Sequence, residues 1–442
     1  MVDTMKVIIY SKDIYSYGAM LISGILKEKH NYDVKLVRNL SENNLFLNSD
    51  VVIFSLYSTL NILDENIKNT IELIKKSGKT RVYVAGPVSA YPEIILNELN
   101  LDGVILGEGE LTTPEIILGG KNGLAYFKND EIIKNNVEKK PELDFSKIYI
   151  PKDIEKQTVR GANIYMETHR GCLGHCTFCQ VPEFFGRDIR SKPLELILNE
   201  VKALKRRGVN RIAISGGTGS LYNFKNSLNR DNFIEMVKSV SEIIGKENLS
   251  IPDMRVDYID EEILCAIRDY SIGWVFYGIE SGSNELLKKM KKGTNTAKNL
   301  RAIKTAKECG VKVAGSFIVG HPDESEYDYL LTKDFIVDAE LDDIFISAAE
   351  PIPGTELCKT VLNTKYEENP TFMVHSGQYR KYGLKENEAR AYDLMMHSEM
   401  WKSNQKVITK NLAKVYLEEA KMQGADIRKV TELLFKYRNF II

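Results

Sequence analysis

Arg170-Gly171-Cys172-Leu173-Gly174-His175-Cys176-Thr177-Phe178-Cys179-Gln180 is the stretch on which the reading of this chain turns. Three thiolates within eight residues can all face one small inorganic cluster. They are one ligand short of a tetrahedral zinc site or of a [4Fe–4S] cluster held entirely by cysteine. A cluster on three cysteines leaves one iron open, and an open metal position is what a reactive small molecule needs. The alternative is a zinc site completed by His169 or His175.

The chain around this loop has 442 residues, enough for two or three domains at roughly 150 residues each. With 43% hydrophobic and 27% charged residues it has an ordinary globular composition. No run approaches the roughly 18 apolar residues of a membrane span, and the N-terminus lacks the layout of a signal peptide. A cytoplasmic protein is expected, with no membrane partner. A formal charge of −1 argues against a large nucleic-acid footprint. Six cysteines, three of them clustered, do not make a disulfide framework. Cys265 and Cys309 lie in helix-like stretches and read as small buried hydrophobes.

Upstream, Lys6–Tyr10, Tyr32–Val37, Asp50–Leu56, Arg81–Ala85 and Gly103–Leu106 read as strands. Between them, segments such as Tyr15–Lys29 and Leu63–Lys76 carry apolar residues at helical spacing. The alternation predicts a doubly wound parallel, Rossmann-like sheet over 1–135. Ligands of such sheets bind beyond the carboxyl ends of the strands. Here those ends carry Ser11, then Ser55, Tyr57, Ser58 and Thr59, then Gly86, Pro87 and Val88, then Gly107, Glu108, Gly109 and Glu110. Small and hydroxyl-bearing residues let a backbone approach a bulky flat ligand. Leu124–Lys128 and Glu131–Ile133 form a predicted hairpin, and a Lys/Pro/Asp-rich linker follows over 136–159.

Downstream, residues 160–357 repeat strand and helix. Strands are expected at Ala162–Thr168, Asn210–Ser215, Ser250–Val256, Ile272–Gly278, Val311–Val319 and Asp343–Ala349. The first intervening helix has Ser191 as cap, Pro193 in its first turn, an apolar stripe from Leu194 to Leu204 and Gly208 as stop. Six such units predict a partial (β/α)6 TIM barrel with chemistry at the strand carboxyl ends. Residues 358–442 are predicted to form a helical C-terminal domain. From Trp401 onward it holds nine Lys/Arg against four Asp/Glu. A solvated cap and a partner-docking surface both fit that bias.

The Cys-x3-Cys-x2-Cys spacing resembles the signature of radical S-adenosylmethionine (SAM) enzymes, and later strand ends carry matching motifs in order. Ser215-Gly216-Gly217-Thr218-Gly219 stands where the family has Gly-Gly-Glu, with Thr218 replacing the Glu. Arg255 and Asp257 end the third strand. Gly278-Ile279-Glu280-Ser281-Gly282 is similar to the family's Gly-Ile-Glu-Ser-Gly segment. Gly315 to Pro322, which includes Val319, resembles its adenine-supporting strand, and Pro351-Ile-Pro353-Gly354-Thr355 its closing turn. The resemblance implies a cluster on Cys172, Cys176 and Cys179. It also implies SAM contacts from Phe178, Gly216, Gly217, Thr218, Arg255, Glu280, Ser281 and Val319. Glu280 also reads as a structural pairing residue. Arg187 and Arg190 could fork onto the SAM carboxylate or another anion, or serve as exposed ion pairs.

Ser55 to Asn61, Ala85 to Ser89 and Gly107 to Glu110 resemble the cobalamin-binding domain of class B radical SAM methyltransferases; a flavodoxin-like domain of other purpose is the alternative. No Asp-x-His-x-x-Gly occurs, so cobalamin is expected base-off with no histidine ligand. The class implies C-methylation of an unactivated sp3 carbon through a 5′-deoxyadenosyl radical and methylcobalamin. Within it the chain most resembles the methanogen enzymes that modify methyl-coenzyme M reductase, specifically the glutamine C-methyltransferase. The partners so implied are a protein or peptide substrate and an electron donor such as a ferredoxin or flavodoxin. A small-molecule substrate, or a non-enzymatic corrinoid carrier, are the competing expectations. A tRNA methylthiotransferase would want three further cysteines for a second cluster, and none precedes Cys172.

Overall fold

The computed structural model describes residues 4–144, 147–404 and 407–441, so Phe145 and Ser146 of the predicted linker lie outside it. The chain divides into two compact units. The first comprises Met1–Arg170, Phe184–Gly186 and Arg190–Ile214; the second comprises Gly171–Glu183, Arg187–Ile189 and Ser215–Ile442.

The first unit is built on a seven-stranded sheet: β1 (Lys6–Ser11), β2 (Asp33–Val37), β3 (Val51–Ser55), β4 (Arg81–Ala85), β5 (Gly103–Ile105), β6 (Leu124–Lys128) and β7 (Glu131–Lys134). Its order is β2-β1-β3-β4-β5-β6-β7. The first five strands are parallel, as the sequence predicts, but β6 and β7 join antiparallel and make the sheet mixed. Asn129 and Asp130 both adopt positive φ, the geometry of a tight hairpin turn, which sets β7 antiparallel to β6; β6 meets β5 antiparallel after the helix Gly109–Ile117. Four of the five residues of β3 are fully buried, as expected for a central strand covered on both faces. The helix Tyr17–Lys29 is capped by Ser16, and Glu65–Ser77 by Asp64, with Gly78 at φ 70° ending the latter. Because β1 lies between β2 and β3, the strand order reverses at its carboxyl end, which opens a crevice there.

This unit also holds the start of the barrel segment. β8 (Ile164–Glu167) neighbours β11 (Ile212–Ser215), and β9 (His169–Arg170) pairs antiparallel with β10 (Arg190–Ser191). Ser191 is therefore a strand residue opposite His169 and not the predicted cap. Pro193 occupies the cap position of the helix Leu194–Arg206, which has no side-chain cap. Gly208, at φ 81°, lies just beyond that helix as predicted.

The second unit carries β12 (Leu249–Ser250) and the parallel strands β13 (Asp253–Met254), β14 (Trp274–Glu280), β15 (Lys312–Val319) and β16 (Asp343–Ala348), in the order β13-β14-β15-β16. The single strand expected over Ser250–Val256 is broken at Pro252. Proline has no N–H to donate, and its carbonyl instead accepts from Phe276 N at 2.7 Å. Helices Glu261–Tyr270, Thr296–Glu308 and Glu326–Ala339 alternate with these strands, as in an α/β architecture. The C-terminal region is helical, with Glu356–Asn363, Glu386–Trp401 and Lys410–Lys436. Gln423 in the last of these covers the free edge of β16: Ala348 N donates to its Oε1 at 3.0 Å, and its Nε2 donates to Ile346 O. Cys358 is fully buried, whereas Cys265 and Cys309 are only half-buried rather than packed away as predicted. Among the described residues, no helix is long and apolar enough to cross a membrane.

Candidate active site

Two sets of chemistry-bearing residues emerge, each within one unit. In the second unit, Cys172, Cys176 and Cys179 are free thiols on a loop tied down from both sides. Thr177 N donates to Met290 O at 3.0 Å, and Leu357 N donates to Thr177 O at 2.8 Å. Gln180 Nε2 reaches Pro353 O at 3.0 Å, so the closing turn after β16 grips the cysteine loop. Burial pushes the Cys179 thiol up to about 11, helped by the neighbouring Cys176 and Cys172 sulfurs. Gly217, at φ 101°, backs onto the loop: a Cβ there would sit 3.2 Å from Gly171 O and 3.8 Å from Cys172 Cβ. A Cβ on Gly174 would meet Arg255 Nη1 at 2.8 Å and Cys172 Sγ at 3.4 Å. These glycines make room beside the sulfurs, and the three thiols with that room fit a cluster. His175, offered above as a zinc ligand, is exposed, and His169 Nδ1 lies 3.0 Å from Thr168 Oγ1. Among the described residues, no three His, Cys, Asp or Glu side chains converge as on a single ion.

Arg255 faces the thiols. Its Nη1 donates to Cys176 Sγ at 3.4 Å, Nε and Nη2 fork onto Asp257 at 2.9 and 2.8 Å, and Nη2 also reaches Lys292 O at 2.7 Å. Burial works against its charge, but Asp257 and the Cys176 and Cys172 sulfurs outweigh it and hold the guanidinium protonated. Lys292 is equally buried and lies 5.7 Å from the centre of the Phe178 ring. Burial works against its charge, but Glu280 at 2.8 Å and the nearby Cys176 outweigh it and raise its pKa. Glu280 sits at φ 69° where β14 shifts register against β15, a strained conformation for a residue with a Cβ. Its second oxygen accepts from Ser316 at 3.2 Å.

Of the residues expected at SAM, the structure thus gathers Phe178, Gly217, Arg255 and Glu280 around the thiols directly or through Lys292. Gly216 and Thr218 flank Gly217 on the same turn. Ser281 is turned away, its hydroxyl 3.1 Å from Thr332 and accepting from Ser283 N. Val319 is fully buried, and its carbonyl accepts from Ala349 N. Lys292 was not legible in advance, because it lies in the run Lys288-Lys289-Met290-Lys291-Lys292, where nothing separates it from solvated lysines.

In the first unit, a cleft of about 720 Å3, including its open mouth, lies at the strand carboxyl ends. Ser55, Tyr57, Gly86 and Pro87 line one part, and Gly107, Glu108, Gly109 and Glu110 another. Gly86 has φ 103°, and a Cβ would stand 2.4 Å from Leu56 O, so no other residue fits without strain. Of the other expected residues, Ser11 is buried and bonded to Ser16, which itself lines the cleft; Ser58 caps a turn, and Thr59 and Val88 are buried. Sequence reasoning missed the floor: Arg170 binds Glu108, Glu110 and Glu167 at 2.7, 2.6 and 2.8 Å. Arg190, expected to fork onto the SAM carboxylate or another anion or to stand as an exposed pair, clamps the buried Glu108 carboxylate at 2.5 Å. Arg187 is exposed, 3.7 Å from Glu183.

Residues 166–336 match the radical SAM superfamily. Such a domain holds a [4Fe–4S] cluster and uses SAM. Over 440 residues the chain is 65% identical to a Methanocaldococcus jannaschii protein named "Putative methylthiotransferase MJ0865", covering 99% of this chain and 98% of that one. The chain therefore belongs to that protein's family, a family of radical SAM enzymes. Two solved structures share its fold. One is the radical SAM methyltransferase TsrM from Kitasatospora setae with cobalamin and a [4Fe–4S] cluster bound, at TM-score 0.68, 13% identity and 97% and 99% coverage of the two chains. The other is the cobalamin-dependent SAM radical enzyme OxsB, at TM-score 0.65, 18% identity and 98% and 72% coverage.

Proposed function

We propose that this chain is a cobalamin-dependent radical SAM C-methyltransferase acting on an unactivated sp3 carbon, with a glutamine of methyl-coenzyme M reductase as acceptor. The observation that carries the reading is the presence, in one chain, of the thiol triad and of a glycine-rimmed cleft at a strand-order reversal. When bound, cluster and SAM supply an organic radical and cobalamin supplies the methyl group. The chain's own contribution is geometric and electrostatic. Gly86, Gly107 and Gly109 let a flat macrocycle lie against backbone, while Arg170 and Arg190 hold the Glu108 and Glu110 carboxylates in fixed positions beneath the cleft. Lys292 and Arg255 offer fixed positive charge toward the carboxylate of SAM and the thiolates.

In this reading, residues 1–135 form the cobalamin domain, 160–357 the SAM barrel and 358–442 a helical cap, in a cytoplasmic enzyme reduced by a ferredoxin or flavodoxin. A second reading, methylthio transfer, is favoured by the name of the methanogen relative. Against it, no cysteine precedes Cys172 to hold a second cluster. Anaerobic incubation of reconstituted enzyme with SAM, cobalamin and the target glutamine peptide separates the two by mass spectrometry. Gain of one methyl, with 5′-deoxyadenosine and S-adenosylhomocysteine formed, supports the proposal. A methylthio product would replace it with the second reading. An unmodified glutamine peptide beside a methylated arginine peptide or small molecule would overturn the substrate but not the class.

A further inference from the structure

Arg255 is bonded in four directions at once, and only one of those bonds goes to a cluster ligand. Asp257 takes its Nε and Nη2 in a fork, and Lys292 O takes Nη2 again. Those three bonds fix the plane of the guanidinium and leave Nη1 aimed at Cys176 Sγ, 3.4 Å away. The Arg255 side chain is 10% exposed, so water competes little for that hydrogen. The thiol sulfur stands here for the iron-bound thiolate, which carries more negative charge and accepts such a bond more strongly.

The geometry points to Arg255 as the residue that sets the reduction potential of the cluster, with Asp257 as the positioning residue that holds it there. This inference rests on the reading of Cys172, Cys176 and Cys179 as ligands of a [4Fe–4S] cluster. Adding one electron from a low-potential donor makes the site more negative by one charge. An N–H donor and a positive charge at a ligand sulfur stabilise that added charge, and so raise the potential. Asp257 acts in two opposing ways: it orients the donor, yet its carboxylate cancels much of the guanidinium charge. Losing Arg255 makes reduction harder. Replacing Arg255 by Lys keeps the positive charge but loses the fork onto Asp257 that aims the donor at Cys176, so reduction becomes harder by a smaller margin.

The test is a potentiometric titration of the reconstituted full-length protein, read by EPR, in the absence of SAM and substrate. Arg255→Gln is expected to lower the reduced-to-oxidised ratio at fixed potential at least tenfold, a shift of about 59 mV for one electron. Arg255→Lys is expected to lower the midpoint by a smaller amount. SAM affinity is measured in parallel on the oxidised protein. A midpoint unchanged in Arg255→Gln, with SAM binding weakened, would make Arg255 a SAM ligand only and overturn the inference. Should Arg255→Gln fail to load a cluster, Arg255→Lys decides: a midpoint equal to or above that of the wild type overturns it. Wild-type protein that assembles no cluster would instead sink the underlying assignment, and this inference with it.

Discussion

At the scale of single residues, the unusual feature is how many charges the second unit buries and how each is balanced. Glu324 has a side chain with no exposed surface. One carboxylate oxygen binds Arg390 at 2.8 Å and accepts from Gly320 N at 2.7 Å; among the described residues the other has no partner. Burial, with some repulsion from Asp328, pushes its pKa from 4.5 up to about 6 despite Arg390. The sign of the consequence follows. Between about pH 4.5 and 6 the folded state binds more protons than the unfolded one, so this group's stabilisation is lost as pH rises through that window. A shift of this size corresponds to about 2 kcal/mol. Glu324→Gln removes the titration. The stability of that variant minus that of wild type should therefore rise by about 2 kcal/mol between acid and neutral pH in denaturant melts. A pH-independent difference would show that Glu324 does not titrate in this range.

At the scale of elements, a buried ionic triad anchors the helix Leu194–Arg206. Lys192, just ahead of it, binds Glu200 at 2.8 Å, and Tyr17 in the helix Tyr17–Lys29 donates to the same carboxylate at 2.7 Å. All three are buried. Lys192→Met would leave Glu200 an unpaired buried carboxylate and cost about 3–5 kcal/mol, whereas Lys192→Met combined with Glu200→Leu should recover much of it. Thermal melts of the two variants check this; equal losses would argue against the pairing. The apolar stripe of this helix was plain in the sequence, because it is local and periodic. Glu200 was not, because a glutamate inside the stripe is buried only if the fold delivers a partner, and Lys192 and Tyr17 arrive from other elements. The same distinction runs through the site. Cys172, Cys176 and Cys179 were legible because ligand spacing is a property of one loop, and the strand-end glycines because φ demands are local. The Arg255 contact to Cys176, the Lys292–Glu280 pair and the Arg170 and Arg190 clamp on Glu108 join residues 12 to 82 positions apart, and a single sequence does not say which of its many charges meet. Ser191 failed as a cap for a related reason: strand pairing with His169 claimed it first.

At the scale of the whole molecule, the distribution of residues between the two units makes a separable claim. Every residue gathered around the thiols belongs to the second unit, and every residue lining the glycine-rimmed cleft belongs to the first. Among the described residues, neither set borrows a side chain from the other. Loss of one cofactor should therefore leave binding of the other standing. Replacing Cys172, Cys176 and Cys179 together with Ala should abolish the cluster's visible absorbance and all SAM cleavage, while the protein still copurifies with corrinoid when grown with ample cobalamin. Gly86→Ile should do the reverse, since its side chain would collide with Leu56 O and fill the cleft rim, at a backbone cost of about 1–3 kcal/mol. It should retain an iron content equal to wild type and still release 5′-deoxyadenosine from SAM, without transferring a methyl group. Iron analysis, corrinoid absorbance and product chromatography on the two variants give a two-by-two result. Retained 5′-deoxyadenosine formation in the triple cysteine variant would refute the cluster assignment. Corrinoid lost from both variants alike would refute the independence of the sites, and corrinoid retained in Gly86→Ile would move the corrin away from this cleft.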